Sequence, residues 1–357
     1  MLKKILILLF VAVFLSGCTP KLEQEEVTFS SWGSVTEVQI LKQIIQEFEK
    51  ENPDIKIKFM HIPQNYFQKI HLLFASNTAP DVIFINNLYL PIYAEYLEDI
   101  TSQIESDTYY MQALKGLSYD DKILAFPRDI SNLVFYVNTD MVKTIREDWT
   151  IEDLLEIAKQ NVSLGRFGLS FEEDFYWVMP YLSYFGEVFD ESFDSTTSQG
   201  LKFYKELRDK YKVAPTKSQV GSSTLAQMFL DGRIAMYLSG RWMYPKIREK
   251  AKFNWMVINF PYGEIPQVCD ASGWAISKNS KHKKSALEFA QFLSSKKSIE
   301  YFTKTGLIVP ARVDTAFFLN NLENNEKSFL DIVEKSQPTF ITKNYKKLID
   351  SFNSKSF

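Results

Sequence analysis

Hydrophobic and polar positions alternate in two short segments near the start of the chain. VTFSS at 27–31 and IKIKF at 55–59 place apolar side chains at every second position, which predicts strands with one buried face. DVIFI at 81–85 is typical of a strand that a parallel sheet buries on both faces. Segments with one apolar helical face lie between these strands, at about 36–51 and 66–75. This order predicts an α/β layer with a parallel sheet.

The rest of the chain predicts a second α/β section and a helical end. LVFYV at 133–137 has the composition of a strand, and WTIEDLLEIAKQ at 149–160 has the period of a helix. GWAIS at 273–277 predicts a further strand. Two helices are then predicted at 285–295 and 298–305, the second of which Gly306 closes. No internal repeat or low-complexity segment interrupts this order.

Two of these helices have a recognisable start. In a capping box, a hydroxyl side chain and the residue three positions later bond to each other's backbone N–H groups. Thr36 with Gln39 is the predicted pair for the first helix, and Thr150 with Asp153 is the pair for the helix at 149–160. We therefore expect these helices to begin beside Thr36 and Thr150.

The N-terminus has the pattern of an export signal. Lys3 and Lys4 precede an apolar run of eleven residues at 5–15. A helix needs about 20 residues to cross a bilayer, so 1–17 is predicted to be a secretory signal peptide. LSGC at 15–18 resembles the lipobox of bacterial lipoproteins, which implies cleavage before Cys18 and a lipid on its thiol. The alternative is an ordinary signal with an incidental cysteine.

The expected mature protein is tethered to the cell membrane on its extracytoplasmic face, with the polar residues 18–26 as the tether. Without residues 1–17 the chain has 39 basic and 44 acidic side chains, a net charge of −5. This balance gives no basic footprint for nucleic acid. The hydrophobic content of 45% allows a large core, and 357 residues favour two domains. Cys269, the other cysteine, is predicted to be a small buried hydrophobic residue.

The sequence contains none of the familiar catalytic or nucleotide-binding motifs. There is no phosphate-binding glycine loop with lysine, no Rossmann glycine triplet, no H-E-x-x-H, no C-x-x-C and no G-x-S-x-G. His61 on a predicted strand, His71 on a predicted helix face and His282 in a lysine-rich turn do not form a cluster, so we expect no metal site and no cofactor. The 44 acidic residues leave open a carboxylate pair of the kind that hydrolyses glycosides.

Tryptophans beside glycine are the most informative chemistry of the chain. Trp32 precedes Gly33, Trp242 follows Gly240 closely, and Trp274 follows Gly273. Such a ring either plugs the edge of a core or offers a flat face to a ligand. Trp177 lies in an aromatic run that follows three acidic residues at 172–174. Rings together with carboxylates suit a carbohydrate, and they also suit a cation.

Several motifs, in one order, resemble the extracellular solute-binding proteins of ABC transporters. The resemblance is to the sugar-binding group, which includes maltose-binding and multiple-sugar-binding lipoproteins, and it covers nearly all of the mature chain. The most specific motif is FLDGRIAMYLSGRW at 229–242. The others are FSSWG, APDVIFINN, FPRDISNLVFYVNTDM, WTIEDLLEIAK and the long C-terminal segment that starts at ASGWAIS and ends at GLIVPAR.

The resemblance implies a periplasmic-binding-protein-like α/β fold with two lobes, a hinge and a ligand cleft between the lobes. Lobe one would contain 27–133 and 270–309, and lobe two would contain 137–267 and 313–357. The hinge crossings would lie near 134–136, 268–269 and 310–312. It also implies a monomer without enzymatic activity that closes on a sugar or oligosaccharide and delivers it to the permease subunits of an importer.

The family pattern further implies which residues bind the ligand. Trp242 matches the position whose ring stacks on a sugar, and Asn86 follows a strand whose end faces the cleft. The other implied ligand-binding residues are Trp32, Ser34, Asn87, Arg128, Asp129, Asp174, Tyr176, Trp177 and Trp274.

Two alternatives remain at the level of sequence. The same fold binds cationic or metal-containing solutes in some relatives, and the acids and rings of SYFGEVFDESFD at 183–194 are compatible with a cation. A secreted glycoside hydrolase has only the scattered acidic residues in its favour.

Overall fold

The computed structural model describes residues 24–146, 148–320, 324–339 and 341–357. The predicted signal peptide, Cys18 and most of the predicted tether lie outside these residues. The strands are, in chain order, β1 (Glu25–Ser31), β2 (Ile55–His61), β3 (Val82–Asn86), β4 (Ser118–Tyr119), β5 (Lys122–Ile123), β6 (Phe126–Ser131), β7 (Val134–Asn138), β8 (Phe167–Leu169), β9 (Ile234–Ser239), β10 (Trp255–Asn259), β11 (Val268–Ile276), β12 (Val309–Pro310) and β13 (Gln337–Pro338).

The helices alternate with these strands in the first two thirds of the chain and dominate the last third. They are α1 (Val35–Glu51), α2 (Tyr66–Ala75), α3 (Leu90–Tyr93), α4 (Met111–Gly116), α5 (Ile151–Gln160), α6 (Phe175–Tyr184), α7 (Gln199–Asp209), α8 (Lys217–Val220), α9 (Leu225–Leu230), α10 (Tyr244–Lys250), α11 (Lys283–Leu293), α12 (Lys296–Lys304), α13 (Val313–Asn320), α14 (Asn324–Lys335) and α15 (Tyr345–Ser356). Single 3₁₀ turns occur at Ala94–Tyr96, Thr101–Gln103, Ser106–Thr108 and Arg241–Met243.

The larger sheet is built from both ends of the chain. Among the described residues its strand order is β12-β6-β11-β3-β1-β2, and β13 adds to one end of β11. The pairs of β1 with β2 and with β3 are parallel, as the sequence predicts, whereas β11 runs antiparallel to β3 and to β6. We call this sheet and the helices packed on it lobe one.

The smaller sheet has the order β10-β7-β9-β8. Its two central strands, β7 and β9, are buried along their whole length. Alternate residues of β7 belong to different cores: Phe135 and Val137 pack with the core beneath α5, α6 and α7, whereas Tyr136 packs with the core that also contains lobe one. We call this sheet and its helices lobe two.

Helix α1 begins at Val35, and Ser34 is its N-cap. The Ser34 hydroxyl accepts a hydrogen bond from the Glu37 N–H at 3.3 Å, and Glu37 Oε2 accepts one from the Ser34 N–H at 2.9 Å. The predicted box of Thr36 with Gln39 is therefore wrong by two residues. The segment contains two overlapping capping patterns, and the earlier one is used.

The other predicted helices are present, and the two C-terminal ones begin two residues earlier than predicted. Thr150 caps α5, where its hydroxyl accepts a hydrogen bond from the Asp153 N–H at 3.2 Å. The two predicted C-terminal helices are α11 and α12. Gly306 follows α12 with a φ of +82°, a left-handed conformation that glycine adopts without steric cost.

The chain passes from lobe one to lobe two at Asn132 and Leu133, since β6 ends at Ser131 and β7 begins at Val134. The crossing expected near 134–136 stays a prediction, and these three residues are inside β7. Residues 268–269 are the first residues of β11, where Val268 packs with the core of lobe two and Cys269 with the core that also contains lobe one. The crossing expected near 268–269 stays a prediction.

The last third of the chain contacts both lobes. Helix α13 packs on α12 and β12 of lobe one, and α14 packs on β10 of lobe two. Strand β13 then pairs with Val268 and Cys269 of β11, and α15 packs on α6. No helix among the described residues is both long and apolar enough to cross a membrane.

Candidate ligand-binding cleft

A cleft of about 610 Å³ lies between the two sheets, and both lobes contribute to its walls. The strands of lobe one explain its position, because the carboxyl ends of parallel strands meet at one edge of a sheet and crevices form there. Trp32 directly follows β1, Pro63 follows β2, and Asn86 ends β3. The aromatic side chains that line the cleft are Trp32 and Phe84 from lobe one and Tyr176, Trp177 and Trp242 from lobe two.

Trp32 stands at the cleft edge of lobe one and is 40% exposed. Its ring packs against Phe84 at a centroid distance of 5.5 Å and against Phe67 at 5.8 Å. Gly33 follows with a φ of +133°, and a β-carbon there would lie 2.9 Å from Glu37 Cβ. The chain therefore needs glycine at 33 to turn from β1 into α1 behind the Trp32 ring.

Trp242 is the corresponding ring of lobe two, and it is also 40% exposed. It lies in the 3₁₀ turn Arg241–Met243, which follows β9 and leads into α10. Its ring folds back over Gly240, where a β-carbon would lie 1.9 Å from the ring. The Tyr136 hydroxyl donates a hydrogen bond to the Gly240 carbonyl at 2.9 Å and so fixes the turn. The Tyr176 ring is 6.1 Å from the Trp242 ring.

Tyr176 and Trp177 enter the cleft from the first turn of α6. Asp174 caps this helix: its Oδ1 accepts a hydrogen bond from the Tyr176 N–H at 2.9 Å, and its Oδ2 accepts one from Asn353 at 2.9 Å. The indole of Trp177 donates to the Leu238 carbonyl at 3.1 Å. Asp174 thus holds the two aromatic residues in place, and both of its oxygens are used.

A buried ion network lies beneath Trp32. The Arg128 guanidinium donates through Nε to Asp129 Oδ2 and through Nη1 to Glu37 Oε1 at 3.5 Å. Asp129 Oδ1 accepts a hydrogen bond from the Ser272 hydroxyl at 2.6 Å. The guanidinium also lies 4.8 Å from the centre of the Phe84 ring. Both oxygens of Asp129 therefore have partners, while Arg128 keeps further N–H donors on the cleft wall.

The cleft contains a third carboxylate, Asp270, which lies near the start of β11. Its Oδ1 accepts hydrogen bonds from Asn87 Nδ2 at 2.7 Å and from the Thr339 hydroxyl at 2.5 Å. Burial raises the pKa of Asp270, although these two hydrogen bonds oppose the shift. Burial also raises the pKa of Tyr176, and the nearby carboxylates of Asp270 and Asp129 add to this effect.

Most of the residues proposed from the sequence come together at this cleft. Seven of them line it: Trp32, Asn86, Arg128, Asp129, Tyr176, Trp177 and Trp242.

Four proposed residues do not line it. Ser34 and Asp174 are helix caps. Asn87 is 1% exposed and donates to Asp270. Trp274 is 0% exposed, because its ring packs at 5.5 Å from Phe29 inside the core. The expectation that Trp274 presents its face to a ligand is corrected by this burial.

Sequence reasoning missed several cleft residues. Glu37 could have been found, since Ser34 and Glu37 have the spacing of a capping box. Arg241 precedes Trp242 in the most specific motif. Asp270 is an acid within an otherwise apolar strand, a pattern that signals either a functional or a hydrogen-bonded side chain.

Groups of three or more histidine, cysteine, aspartate or glutamate side chains that could hold a metal ion do not occur among the described residues. Cys269 is buried, and burial raises the pKa of its thiol to about 12. A thiol with this pKa is protonated at neutral pH, and the thiolate is the nucleophilic form.

Comparison with known proteins gives one family and a consistent fold. The family model described as bacterial extracellular solute-binding protein matches residues 43–316. The maltodextrin-binding protein MdxE of Bacillus subtilis is 24% identical over 339 residues, which covers 85% of this chain and 78% of that protein.

Solved structures agree with this result. The ABC substrate-binding protein Lmo0181 from Listeria monocytogenes, in complex with cycloalternan, is 25% identical with a TM-score of 0.83, and the match covers 93% of this chain and 92% of that one. The GacH receptor of Streptomyces glaucescens, solved unliganded and with acarbose, is 22% identical with a TM-score of 0.80 and coverages of 93% and 92%. The fold is that of the periplasmic binding proteins, with two α/β lobes and a cleft between them. Since the family model matches most of its length, the chain belongs to the family of bacterial extracellular solute-binding proteins.

Proposed function

We propose that this protein captures a sugar or oligosaccharide in the cleft between its lobes and delivers it to the permease of an ABC importer. The observation that carries this proposal is the pair of half-exposed tryptophans, Trp32 from lobe one and Trp242 from lobe two, which line the same cleft. The apolar face of a pyranose stacks on such rings.

The polar groups of the cleft suit the edges of a sugar ring. Arg128 offers N–H donors, Asn86 offers both a donor and an acceptor, and Asp270 offers an acceptor. Sites for small molecules combine an apolar lining with a few placed polar groups in this way. The relatives include a maltodextrin-binding protein and proteins solved in complex with cycloalternan and with acarbose, which favours an oligosaccharide.

Ligand capture works by hinge closure in this proposal. A sugar that contacts Trp32 and Trp242 together binds more tightly when the lobes are closed, and it shifts the population toward that form. The crossing at Asn132 and Leu133, the segment before β11 and the segment after β12 are the proposed hinge. The closed form then docks on the permease.

Cys18 is the proposed attachment point to the membrane. Acylation of this residue after cleavage of 1–17 would hold the protein on the extracytoplasmic face, because two or more acyl chains suffice for stable anchoring. The mature protein is proposed to act as a monomer and without enzymatic activity.

Calorimetry of the purified mature domain with maltose, maltotriose, maltotetraose, acarbose and cycloalternan tests the proposal. We expect reversible binding of at least one of them, with the sugar recovered intact. A ligand at about 100 times its Kd adds about 2.7 kcal/mol to the free energy of unfolding, so melting curves give an independent readout. Spermidine and ferric citrate are included as competing ligand classes. Binding of either of these without any saccharide, or release of hydrolysis products, would contradict the proposal.

A further inference from the structure

We propose that Asp270 accepts a hydrogen bond from one hydroxyl group of an uncharged saccharide in the cleft. It thereby selects sugars that carry a hydroxyl donor at that position. This inference rests on the proposed function. It adds which chemical group of the sugar Asp270 binds.

The side chain of Asp270 is held in one orientation. Asn87 and Thr339 both donate to Oδ1, from opposite ends of the sequence. Asn87 is itself buried, and its N–H donates to the Ala271 carbonyl at 3.0 Å, so this donor is fixed by β11. Oδ2 has no hydrogen-bond partner within the described part of the chain, and Asp270 lines the cleft. The carboxylate is thus preorganised, with one oxygen used and the other available.

The groups around Asp270 do not neutralise it. No ion pair to Asp270 occurs among the residues that the structure describes. Its ionisable neighbours are the Tyr176 and Tyr345 phenols, the Cys269 thiol and, beyond Tyr176, the Asp129 carboxylate. The phenols and the thiol are uncharged at neutral pH, because burial raises the pKa of each. A ligand donor is therefore the natural partner of Oδ2.

The charged groups of the cleft are close to balance, which suits an uncharged ligand. The Arg128 guanidinium already pairs with Glu37 and Asp129. Arg241 lines the cleft as a second positive group. The carboxylates of Glu37, Asp129 and Asp270 line the same cleft, so these charges leave a formal balance of about one negative charge. A sugar hydroxyl adds no charge and still forms a charge-assisted hydrogen bond with a carboxylate.

The substitution Asp270→Asn changes this one interaction with little change of shape. The new amide keeps a carbonyl oxygen for the donors Asn87 and Thr339, and it turns the acceptor at Oδ2 into an NH₂ donor. Asp107→Asn, at an exposed position, is the matched control. Thr339→Val is a second variant, which removes one of the two groups that orient Asp270.

The experiment measures by calorimetry the affinity of each variant for the tightest binder among maltose, maltotriose and cycloalternan, and for its monodeoxy analogues. In the wild type one deoxy analogue is expected to bind about ten- to a hundredfold more weakly than the parent sugar. Asp270→Asn should bind the parent sugar more weakly than the wild type does, by a similar factor. Its affinity for that deoxy analogue should equal the affinity of the wild type for the same analogue. Thr339→Val should show a smaller loss at the same hydroxyl, and Asp107→Asn should behave as wild type.

The outcomes separate this inference from the proposed function. If the wild type binds a sugar but Asp270→Asn binds it equally well, or if the two losses add at every hydroxyl, Asp270 is not the acceptor and only this inference fails. If the wild type binds none of the sugars, both fail together. Binding of spermidine that Asp270→Asn abolishes would assign Asp270 to a cation instead and overturn the inference.

Discussion

The ring of Trp242 lies over the α-carbon of Gly240, so that no side chain can be accommodated between them: a β-carbon at 240 would be 1.9 Å from the ring. The backbone at Gly240 is extended, with φ of −91° and ψ of 178°, a conformation that alanine adopts freely. Gly240 is thus required by the ring and not by the backbone.

Gly240→Ala should therefore displace the Trp242 ring and weaken sugar affinity by about two- to tenfold, since an aromatic contact adds about 0.5–1.5 kcal/mol beyond its area burial. Calorimetry of the single and double variants checks this. In the Trp242→Ala background the same glycine substitution should have no further effect on affinity. A loss of equal size in both backgrounds would show that Gly240 acts through the backbone instead.

Trp242→Ala should weaken sugar affinity by about ten- to a hundredfold, because truncation of a central aromatic anchor costs about 2 kcal/mol or more. Trp242→Phe should be milder. The melting temperature should change little, since the ring is 40% exposed.

Trp274→Ala is the matched control for that experiment. Trp274 is fully buried, so its truncation should cost about 3–5 kcal/mol in the free energy of unfolding. A large fall in melting temperature for Trp242→Ala with unchanged affinity of the folded fraction would make Trp242 a core residue as well.

Asp270 gives a prediction for stability against pH. Burial raises the pKa of Asp270 in the folded protein above its ordinary value of 3.8, so the folded state binds this proton more tightly than the unfolded state. The contribution of Asp270 to stability is then fully present below pH 3.8 and is lost as the pH rises through the raised pKa. Asp270→Asn has no such loss.

As the pH rises from acidic to neutral, the wild type should therefore lose stability relative to Asp270→Asn. The free energy of unfolding of the variant minus that of the wild type should increase with pH. Urea unfolding at a series of pH values measures it, and the comparison with wild type cancels the other carboxylates. A difference that does not vary with pH would mean that Asp270 titrates alike in both states.

Hinge closure predicts a change of shape in solution. Small-angle X-ray scattering should give a smaller radius of gyration with saturating sugar than without it, because the ligand contacts both lobes. Trp242→Ala at the same sugar concentration, below its own Kd, should keep the larger radius. An unchanged radius of the saturated wild type would contradict closure.

Cys18→Ser tests the anchor. The variant should no longer incorporate labelled fatty acid, and it should be found as unprocessed precursor or as released protein, because serine has no thiol to carry the lipid. Cys269→Ser serves as the control and should still be labelled. Continued labelling of Cys18→Ser would exclude the lipoprotein assignment.

Local patterns predicted the elements of this fold well, and they failed where two patterns compete. Thr150 and Asp153 form their capping box because no other cap is nearby. In SVTEVQ at 34–39, however, Ser34 with Glu37 and Thr36 with Gln39 have the same spacing. Glu37 is also 3.5 Å from the guanidinium of Arg128, a contact between residues distant in sequence that a local pattern does not reveal.

The three tryptophans beside glycine show that local patterns also fail to predict which residues line the cleft. Gly33 and Gly240 serve turns that follow strands, and their tryptophans line the cleft. Gly273 lies inside β11 at a register shift, and a β-carbon there would be 2.1 Å from the Phe126 carbonyl oxygen. This glycine permits close strand packing, so its neighbour Trp274 is buried. A glycine near a tryptophan in the sequence does not by itself distinguish a turn from two closely packed strands.

The C-terminal segment, which contains none of the residues proposed from the sequence to bind ligand, supplies two side chains that orient cleft residues. Thr339 holds Asp270, and Asn353 holds Asp174 at the start of the helix that carries Tyr176. A premature stop codon after β12 would leave every aromatic residue of the cleft in the translated product and remove both supports. Genetic fusions for sensors or affinity capture are accordingly better joined at the N-terminal side, and a homologue shortened at its C-terminus must hold its cleft by other means.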